Sequence, residues 1–342
     1  MIYNLQQISF IFFTIILGWI LTRFSLKLVI PKIFNAGFVG RDVNKKEKTA
    51  VPEMGGIGGF FGFCFTITIV FGIIKLLGTV DEYPILVTIC VLGIASFIGL
   101  MDDIAILGRK DKAILIALSS LPLVISQYGD SAIDFYFYKL YFIDNYRYLF
   151  WIILVPIGIT GLSNALNMSG GYNGVETGQM VIISFTLLLI SIIEEVQFSI
   201  ALIFGTIAGT FLALYQWNKF PARVFIGDIG QLGFGAAIGA AIIMGGLTFS
   251  GVICILPAFY ELYATLKYKF MNVERRFFCR NPLIHSGGIL KPPEGAEDFT
   301  LFFLILGKYD INEAQLTRYV LGLYSLCGFL AIILSVYFKY LI

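Results

Sequence analysis

About ten runs of roughly 20 mostly apolar residues, spread along the whole chain, constrain the fold more than any other feature of the sequence. A helical run of this length matches the thickness of the hydrocarbon core of a bilayer. Because the bilayer core offers no water to the backbone, such runs must be helical. The sequence therefore predicts an all-α polytopic membrane protein with about ten transmembrane helices. The runs lie near residues 8–30, 55–78, 83–101, 113–128, 148–163, 178–194, 198–217, 232–248, 250–271 and 317–340.

The composition supports this prediction and excludes several classes of protein. Of the 342 residues, 58% are hydrophobic and 13% are charged, whereas a soluble domain is about half apolar and about a quarter charged. The net charge of +2 predicts no nucleic-acid partner. The single histidine, His285, excludes a histidine-rich metal centre and a hydrolase that relays protons through histidine.

The distribution of lysine and arginine predicts how the chain crosses the membrane, because cytoplasmic loops are enriched in these residues. With the N-terminus outside, 20 of the 24 Lys and Arg residues lie in segments that face the cytoplasm. We therefore expect a single integral domain over residues 1–342 in the cell membrane, with both termini outside. The expected cytoplasmic loops, which would form the active site, are at about 31–54, 102–112, 164–177, 218–231 and 273–316.

Polar residues form four clusters at the cytoplasmic ends of the runs, where polar groups are costly and usually functional. The first, at residues 52–56, contains Glu53 and two glycines, which allow close approach of a ligand or a neighbouring helix. The second is the pair Asp102 and Asp103, followed by Lys112. Adjacent carboxylates repel each other unless a cation or a proton lies between them. The first cluster also fits a packing turn, and the second also fits a solvated helix end, although an acidic pair there opposes the helix dipole.

The third cluster, at residues 164–179, lies between the fifth and sixth runs. Asn164 and Asn167 share one helix face, and their carbonyl oxygens suit a hard cation such as Mg²⁺. The glycine-rich stretch that follows can offer backbone N–H groups to phosphate. In the fourth cluster, at residues 225–231, Asp228 lies between glycines at a helix start and fits a metal ligand or an N-cap. Together the clusters predict Mg²⁺-dependent chemistry on a phosphate ester at the inner membrane surface.

In this order, the four clusters resemble those of the polyprenyl-phosphate N-acetylhexosamine-1-phosphate transferase superfamily, over nearly the whole chain. Residues 173–179 (Asn-Gly-Val-Glu-Thr-Gly-Gln) and 292–301 are similar to its dolichyl-phosphate GlcNAc-1-phosphotransferase branch. The resemblance implies transfer of GlcNAc-1-phosphate from UDP-GlcNAc to a polyprenyl (dolichyl) phosphate with release of UMP, the first step of lipid-linked oligosaccharide synthesis for N-glycosylation. It also implies Mg²⁺ as cofactor, with Mn²⁺ as the alternative ion, binding of tunicamycin, and an archaeal source. A homodimer is left open.

Matched residue by residue, the resemblance assigns roles to the polar clusters. The family's metal ligands correspond to Asn167 and Asp228. The catalytic positions near the lipid phosphate and the diphosphate correspond to Asp102, Asp103, Lys112 and Asn164. The positions that hold uridine correspond to Asn173, Phe225 and Glu53. For Asp102 we favour electrostatic positioning over general base catalysis, because a phosphate monoester is already largely ionised near neutrality (second pKa about 6). Two roles fit His285. It contacts the N-acetyl group or the diphosphate, or it is an ordinary histidine of the loop.

The sequence departs from the superfamily at several positions. Bacterial members usually carry aspartates where this chain has Ser169, Gly170 and Asn173. The peptidoglycan-precursor branch has a multi-histidine loop, so the single histidine here argues against a MurNAc-pentapeptide substrate. The eukaryotic branch has an arginine-rich stretch in the last loop, and its nearest counterparts here, which do not align with it one to one, are Arg275, Arg276, Arg280 and His285.

Two alternative functions remain open from the sequence. One is a transferase of the same superfamily that uses another N-acetylhexosamine. The other is a membrane transporter of a nucleotide sugar or an anionic lipid, although transporters place charges midway along their spans and often show repeated halves. Glu261, inside the ninth run, is the main charge of that kind, and we expect it to pair within the helix bundle.

Overall fold

The computed structural model describes residues 3–77, 81–271, 273 and 281–340, and most of them are helical. The helix at Tyr146–Met168 includes a π-helical segment at Phe150–Leu154. The all-α prediction is therefore confirmed. In chain order the helices are α1 Leu5–Asn35, α2 Gly56–Leu77, α3 Tyr83–Ala105, α4 Arg109–Leu118, α5 Leu121–Ser126, α6 Tyr146–Met168, α7 Val175–Ile193, α8 Phe198–Asn218, α9 Gly227–Met244, α10 Thr248–Cys254, α11 Leu256–Phe270, α12 Leu301–Leu306 and α13 Glu313–Tyr340.

Short antiparallel strands lie in the loops between helices. A hairpin between α1 and α2 pairs β1, Val39–Arg41, with β2, Ala50–Pro52. A second hairpin between α5 and α6 pairs β3 with β4, and three further strands form a small sheet before α13. The bounds of these later strands are β3 Ala132–Asp134, β4 Lys139–Tyr141, β5 Leu283–Ile284, β6 Ile289–Lys291 and β7 Ile311–Asn312, with a 3₁₀ turn at Ser286–Gly288.

Among the described residues, eight helices are long and apolar enough to cross a membrane: α1, α2, α3, α6, α7, α8, α9 and α13. Helices α10 and α11 meet at a bend of 73°, and the number of spans is nine when this bent pair is counted as one. The fourth predicted run is broken instead, because α4 ends at Leu118 and α5 begins at Leu121. At the break, the hydroxyl groups of Ser119 and Ser120 donate hydrogen bonds of 2.6 Å to the Ile116 and Ala117 carbonyl oxygens.

Contacts at the two ends of the bundle show that the broken segment still connects them. At its start, the Lys112 ammonium contacts Asp228 at the beginning of α9. Beyond its end, the Tyr128 hydroxyl contacts Gln197 in the loop between α7 and α8. With this segment included, the described part of the chain passes between the two ends of the bundle ten times, in agreement with the number of apolar runs.

The first and last described parts of the chain, around Tyr3 and Lys339, lie at the end of the bundle where α7 finishes. The Tyr3 hydroxyl donates a 2.6 Å hydrogen bond to the Val196 carbonyl, and the Lys339 ammonium contacts the Ile193 carbonyl. The polar clusters lie at the opposite end, so the termini and the clusters are separated by the thickness of the bundle. The side of the membrane on which each end lies stays a prediction.

Helix α9 lies in the interior of the bundle, where it packs against α2, α3, α6 and α8. Close packing at its start depends on glycine. A Cβ atom on Gly99 would lie 2.4 Å from the Asp228 carbonyl oxygen, and one on Gly56 would lie 2.4 Å from the Gly230 nitrogen. Because only glycine tolerates such an approach, these positions bring α2 and α3 directly onto the first turn of α9.

The buried Glu261 in α11 is paired within the bundle, as expected. Its Oε1 accepts a 2.9 Å hydrogen bond from the Leu301 backbone N–H at the start of α12. A carboxylate in this position stabilises the free N–H groups of a helix N-terminus. The contact gives Glu261 a structural role in holding α12 against α11.

Candidate active site

A cavity of about 420 Å³ opens beside the first turn of α9. Its wall combines residues from four of the five predicted cytoplasmic loops, which the folding of the bundle brings to one place. Charged and amide side chains dominate this wall, so the cavity suits a polar ligand. Of the side chains predicted for the site, those that line the cavity are Glu53, Asp103, Asn167, Asn173, Phe225 and Asp228.

Backbone hydrogen bonds join the first and fourth clusters into one wall of the cavity. The Phe225 N–H donates to the Pro52 carbonyl, and the Gly55 N–H donates to the Phe225 carbonyl, both at 2.8 Å. This pairing places the Glu53 carboxyl and the Phe225 ring in the same wall. Burial, together with the negative charge of Asp103, raises the pKa of the Glu53 carboxyl.

Lys112 lies between the carboxylates of the second and fourth clusters. Its Nζ lies 2.7 Å from Asp102 Oδ2 and also contacts Asp228 Oδ2. The other oxygen of Asp102 accepts a 2.5 Å hydrogen bond from the Leu107 N–H. The ammonium therefore offsets the repulsion between Asp102 and Asp228, rather than between the adjacent Asp102 and Asp103 that the sequence singles out.

The neighbouring Asp103 holds the start of α9. Its Oδ1 accepts a 2.8 Å hydrogen bond from the Asp228 N–H, and its Oδ2 accepts one of 3.1 Å from the Ile229 N–H. A carboxylate there satisfies N–H groups that have no partner inside the helix and is stabilised by the helix dipole. The two adjacent aspartates thus differ: Asp102 binds the Lys112 ammonium, and Asp103 fixes the backbone that carries Asp228.

The two asparagines at the end of α6 are not equivalent either. Asn167 lines the cavity. The Asn164 amide instead donates a 2.9 Å hydrogen bond to the Thr160 carbonyl in the preceding turn of α6. Asn164 is not among the residues that line the cavity, so the structure does not bring it to the ligand space.

The glycine-rich stretch is bound by the protein's own side chains. The Gly171 N–H donates to Glu176 Oε1 at 3.1 Å, and the Gly174 N–H donates to Asn218 Oδ1 at 3.2 Å. The Asn173 N–H donates to Glu313 Oε1 at 2.9 Å. These N–H groups, for which the sequence suggests a phosphate ligand, are therefore already hydrogen-bonded.

The β1–β2 hairpin contributes to the cavity in a way that the sequence does not predict. Asp42 and Asn44 are 2% and 8% exposed, and both line the cavity. Asp42 Oδ2 accepts a 2.9 Å hydrogen bond from Asn173 Nδ2, and Asn44 Nδ2 donates one of 3.0 Å to the Gly171 carbonyl. These two residues lie in a segment rich in charge, which resembles an ordinary solvated loop. Its only signal is its position in a predicted cytoplasmic loop.

His285 lies away from the cavity. It is exposed in the turn between β5 and β6, where its backbone N–H donates a 2.8 Å hydrogen bond to the Ile289 carbonyl. This position fits the ordinary loop histidine of the two alternatives. The predicted counterparts of the eukaryotic arginine-rich stretch, Arg275, Arg276 and Arg280, lie outside the described residues.

The oxygen atoms around the cavity fit a hard divalent cation. No three His, Cys, Asp or Glu side chains of the described residues form a metal cage made by protein alone. Mg²⁺ commonly takes only one or two carboxylates, with waters and substrate phosphates as its other ligands. Asn167, Asp228 and Gln231 all line the cavity. The buried Gln231 Oε1 has no hydrogen-bond partner among the described residues, and an orphan acceptor of this kind fits a nearby cation.

Comparison with known proteins defines the class of this protein. Residues 85–246, which include the second, third and fourth clusters, match the family described as glycosyl transferase family 4. A protein of Methanocaldococcus jannaschii named "Putative glycosyltransferase" is 33% identical over 263 residues, which cover 76% of each chain. The chain belongs to glycosyl transferase family 4, and it is an integral membrane protein.

Other relatives carry more particular names. A protein of Saccharolobus solfataricus named "Putative UDP-N-acetylglucosamine--dolichyl-phosphate N-acetylglucosaminephosphotransferase" is 28% identical over 333 residues, 96% of this chain and 98% of its own. A protein of the same name from Sulfolobus acidocaldarius is 28% identical over 94% of this chain and 95% of its own. The "Phospho-N-acetylmuramoyl-pentapeptide-transferase" of a Wolbachia species is 26% identical over 80% of this chain and 88% of its own.

Proposed function

We propose that this protein transfers GlcNAc-1-phosphate from UDP-GlcNAc to a polyprenyl phosphate of the dolichyl type and releases UMP. The observation that carries the proposal is the cavity at the start of α9, which Asn167, Phe225 and Asp228 line, with Lys112 in contact with Asp228. The names of the two archaeal relatives that span nearly the whole chain support the same substrates. The product would be the first intermediate of lipid-linked oligosaccharide synthesis for N-glycosylation.

In the proposed reaction, an oxygen of the lipid phosphate attacks the β-phosphorus of UDP-GlcNAc. A new bond forms between this oxygen and the β-phosphorus, and the bond between the β-phosphorus and the bridging oxygen breaks. UMP leaves with the bridging oxygen, and the lipid carries GlcNAc on a diphosphate. Such transfers depend mainly on positioning and on neutralisation of the phosphate charges.

The described residues divide these tasks. We propose that Lys112 neutralises negative charge on the phosphates and that Asp102 positions the Lys112 ammonium. We assign the Phe225 ring to stacking on the base and Glu53 to the ribose or the base. Asn167 and Asp228 would hold Mg²⁺ or Mn²⁺. The bound ion would neutralise charge on the diphosphate.

We place this site on the cytoplasmic face of the cell membrane. The cavity opens at the end of the bundle formed by the lysine- and arginine-rich loops, and positively charged loops stay on the cytoplasmic side. Both termini would then lie outside the cell, because they are at the other end of the bundle.

The test uses purified full-length protein, a polyprenyl phosphate, Mg²⁺ and UDP-GlcNAc labelled in the uracil ring. We expect labelled UMP and a lipid-linked GlcNAc diphosphate, and no products after chelation of the metal. Release of UDP would mean transfer of the sugar alone and would contradict the proposed bond cleavage. Absence of both nucleotides, with uptake of the labelled UDP-GlcNAc into protein-containing vesicles, would instead favour a transporter.

The same assay decides the sugar. UDP-GlcNAc, UDP-GalNAc and UDP-MurNAc-pentapeptide are compared at equal concentration, because one relative bears a muramoyl-pentapeptide name. We expect UDP-GlcNAc to give the highest kcat/KM. A higher value for another of these donors would keep the reaction and change the substrate.

A further inference from the structure

Asn173 is held at the cavity wall by hydrogen bonds on both its backbone and its side chain. Its backbone N–H donates to Glu313 Oε1 at 2.9 Å, and its carbonyl accepts from Thr317 Oγ1 at 3.0 Å. Its side-chain Nδ2 donates to Asp42 Oδ2 at 2.9 Å. Asn173 is 4% exposed and still lines the cavity. The protein, rather than a ligand, therefore sets the conformation of this side chain.

The chemistry of Asp42 determines which face of the Asn173 amide is left for a ligand. A carboxylate only accepts hydrogen bonds, so the NH₂ group of Asn173 must face it. The opposite orientation would place two acceptors against each other. Asp42 is itself 2% exposed and forms an ion pair with Lys45. No donor among the described residues reaches Asn173 Oδ1, so this atom is the acceptor of Asn173 left for a ligand, whereas its backbone carbonyl is already bound by Thr317.

A fixed acceptor in the cavity selects among nucleobases by their edges. Stacking on an aromatic ring such as Phe225 is tolerant of base identity, because every base has a π-face. Uracil carries a proton on N3, whereas the N3 atom of cytosine is an acceptor. An acceptor held against N3 therefore binds uracil. With cytosine, the acceptor of the protein and the N3 atom of the base would face each other, and neither would be paired.

We propose that Asp42 is a positioning residue that determines base specificity: it holds the Asn173 amide so that the cavity accepts a pyrimidine with a protonated N3. This inference rests on the proposed function, in which the sugar donor is a uridine nucleotide. Asp42 acts through Asn173 and does not itself contact the base.

The test measures binding of UMP and CMP to the purified full-length protein by titration calorimetry, so that it does not depend on turnover. We expect the wild type to prefer UMP over CMP by roughly 10- to 100-fold, the cost of leaving a buried polar group unpaired. In Asp42→Asn the new carboxamide offers either an oxygen or an NH₂ group, so the Asn173 amide can turn either way. We expect the preference in this variant to fall to about 3-fold or less.

Lys45→Gln is the matched control, because it removes the other partner of Asp42 and leaves the Asn173 contact in place. We expect this variant to keep the wild-type preference. Asp42→Ala, which leaves the amide free to rotate, replaces Asp42→Asn if that variant does not fold. Asn173→Ala removes the acceptor itself and is expected to abolish the preference.

The outcomes separate this inference from the proposed reaction. An unchanged UMP preference in the folded Asp42 variant that is tested overturns it, and so does an unchanged preference in Asn173→Ala. A wild type that releases UMP from UDP-GlcNAc but binds UMP and CMP equally also overturns it, while the proposed reaction stands. A wild type that binds UMP selectively through Asp42, but transfers no phosphosugar, supports the inference and contradicts the reaction.

Discussion

At the scale of single residues, the Lys112 ammonium sets the charge balance of the site. It contacts Asp102 and Asp228, which come from different helices, and so it ties α4 to both α3 and α9. Lys112 and Asp102 do not line the cavity, but Asp228, which Lys112 contacts, does line it and is the carboxylate proposed to bind Mg²⁺. Binding of substrate and of metal should therefore depend on each other, because both use the same carboxylate.

Replacement of Asp228 by alanine should abolish turnover, because it removes a proposed metal ligand and a partner of Lys112. We expect kcat to fall by about 100-fold or more, measured as the initial rate of UMP release in saturating Mg²⁺. Asp130→Ala, at an exposed aspartate in the loop before β3, should keep the wild-type rate. Near-wild-type turnover by Asp228→Ala would remove Asp228 from the proposed metal site.

Replacement of Phe225 by alanine should raise the KM for UDP-GlcNAc by roughly 10-fold, because stacking on a base contributes about 1–3 kcal/mol. The kcat value should change little, since the ring contributes equally to substrate and transition-state binding. Phe225→Tyr, which keeps an aromatic ring, should retain a KM close to that of the wild type. A fall in kcat alone would contradict stacking on the base.

A site residue could be predicted from the sequence when its neighbours along the chain indicate its role, and could not when its role depends on a partner far away in sequence. Asp103, Asn167, Asn173, Phe225 and Asp228 stand in polar clusters next to apolar runs, and they line one cavity. Asp42 could not be found in this way, because its partner Asn173 is distant in sequence and only the fold brings them together. The distinct contacts of Asp102 and Asp103 depend on the position of α9, which the sequence pattern does not give.

At the scale of elements, glycine contacts between helices position the first turn of α9. Gly99 in α3 faces the Asp228 backbone, whereas a Cβ atom on Gly93 in the same helix would meet no atom of another element within 4 Å. The two glycines therefore provide a matched pair for a substitution test of helix packing.

Gly99→Ala should push α3 away from α9, since the added methyl group would lie 2.4 Å from a backbone oxygen. Overpacking of this kind costs about 1–3 kcal/mol, and it should lower the thermal unfolding temperature and turnover together. Gly93→Ala should be neutral or stabilising by up to about 1 kcal/mol, because alanine favours the helix. Equal unfolding temperatures and activities for the two variants would show that the close approach of α3 and α9 is not required.

Helices were more predictable than strands for a physical reason. A spanning helix must be apolar over its whole length, so each run gives a long signal. The strands contain only two or three residues and depend on pairing with another segment, as β1 pairs with β2. The break at Ser119 and Ser120 also escaped prediction, because a search for long apolar runs reads across two serines and across Pro122, which lies in the first turn of α5.

At the scale of the whole molecule, ten passes between the ends of the bundle place the cavity at one end and both termini at the other. An even number of passes and the excess of basic residues near the cavity together predict termini outside the cell. A reporter fused to the C-terminus tests this arrangement. Alkaline phosphatase should be active there and green fluorescent protein should be dark, and the reverse result would contradict the orientation.

The broken segment of α4 and α5 has a consequence for biosynthesis. It begins with four charged residues, at positions 109–112, and is interrupted after Leu118, so its own tendency to leave the translocon for the lipid is weak. It packs against α3, which precedes it in the chain, and against α6, which is synthesised later. We therefore expect a nascent chain that stops before Tyr146 to leave this segment uninserted, and a chain that extends through Met168 to insert it. The Lys112 contacts would then form only after the ribosome has made the helices that hold this segment in the membrane.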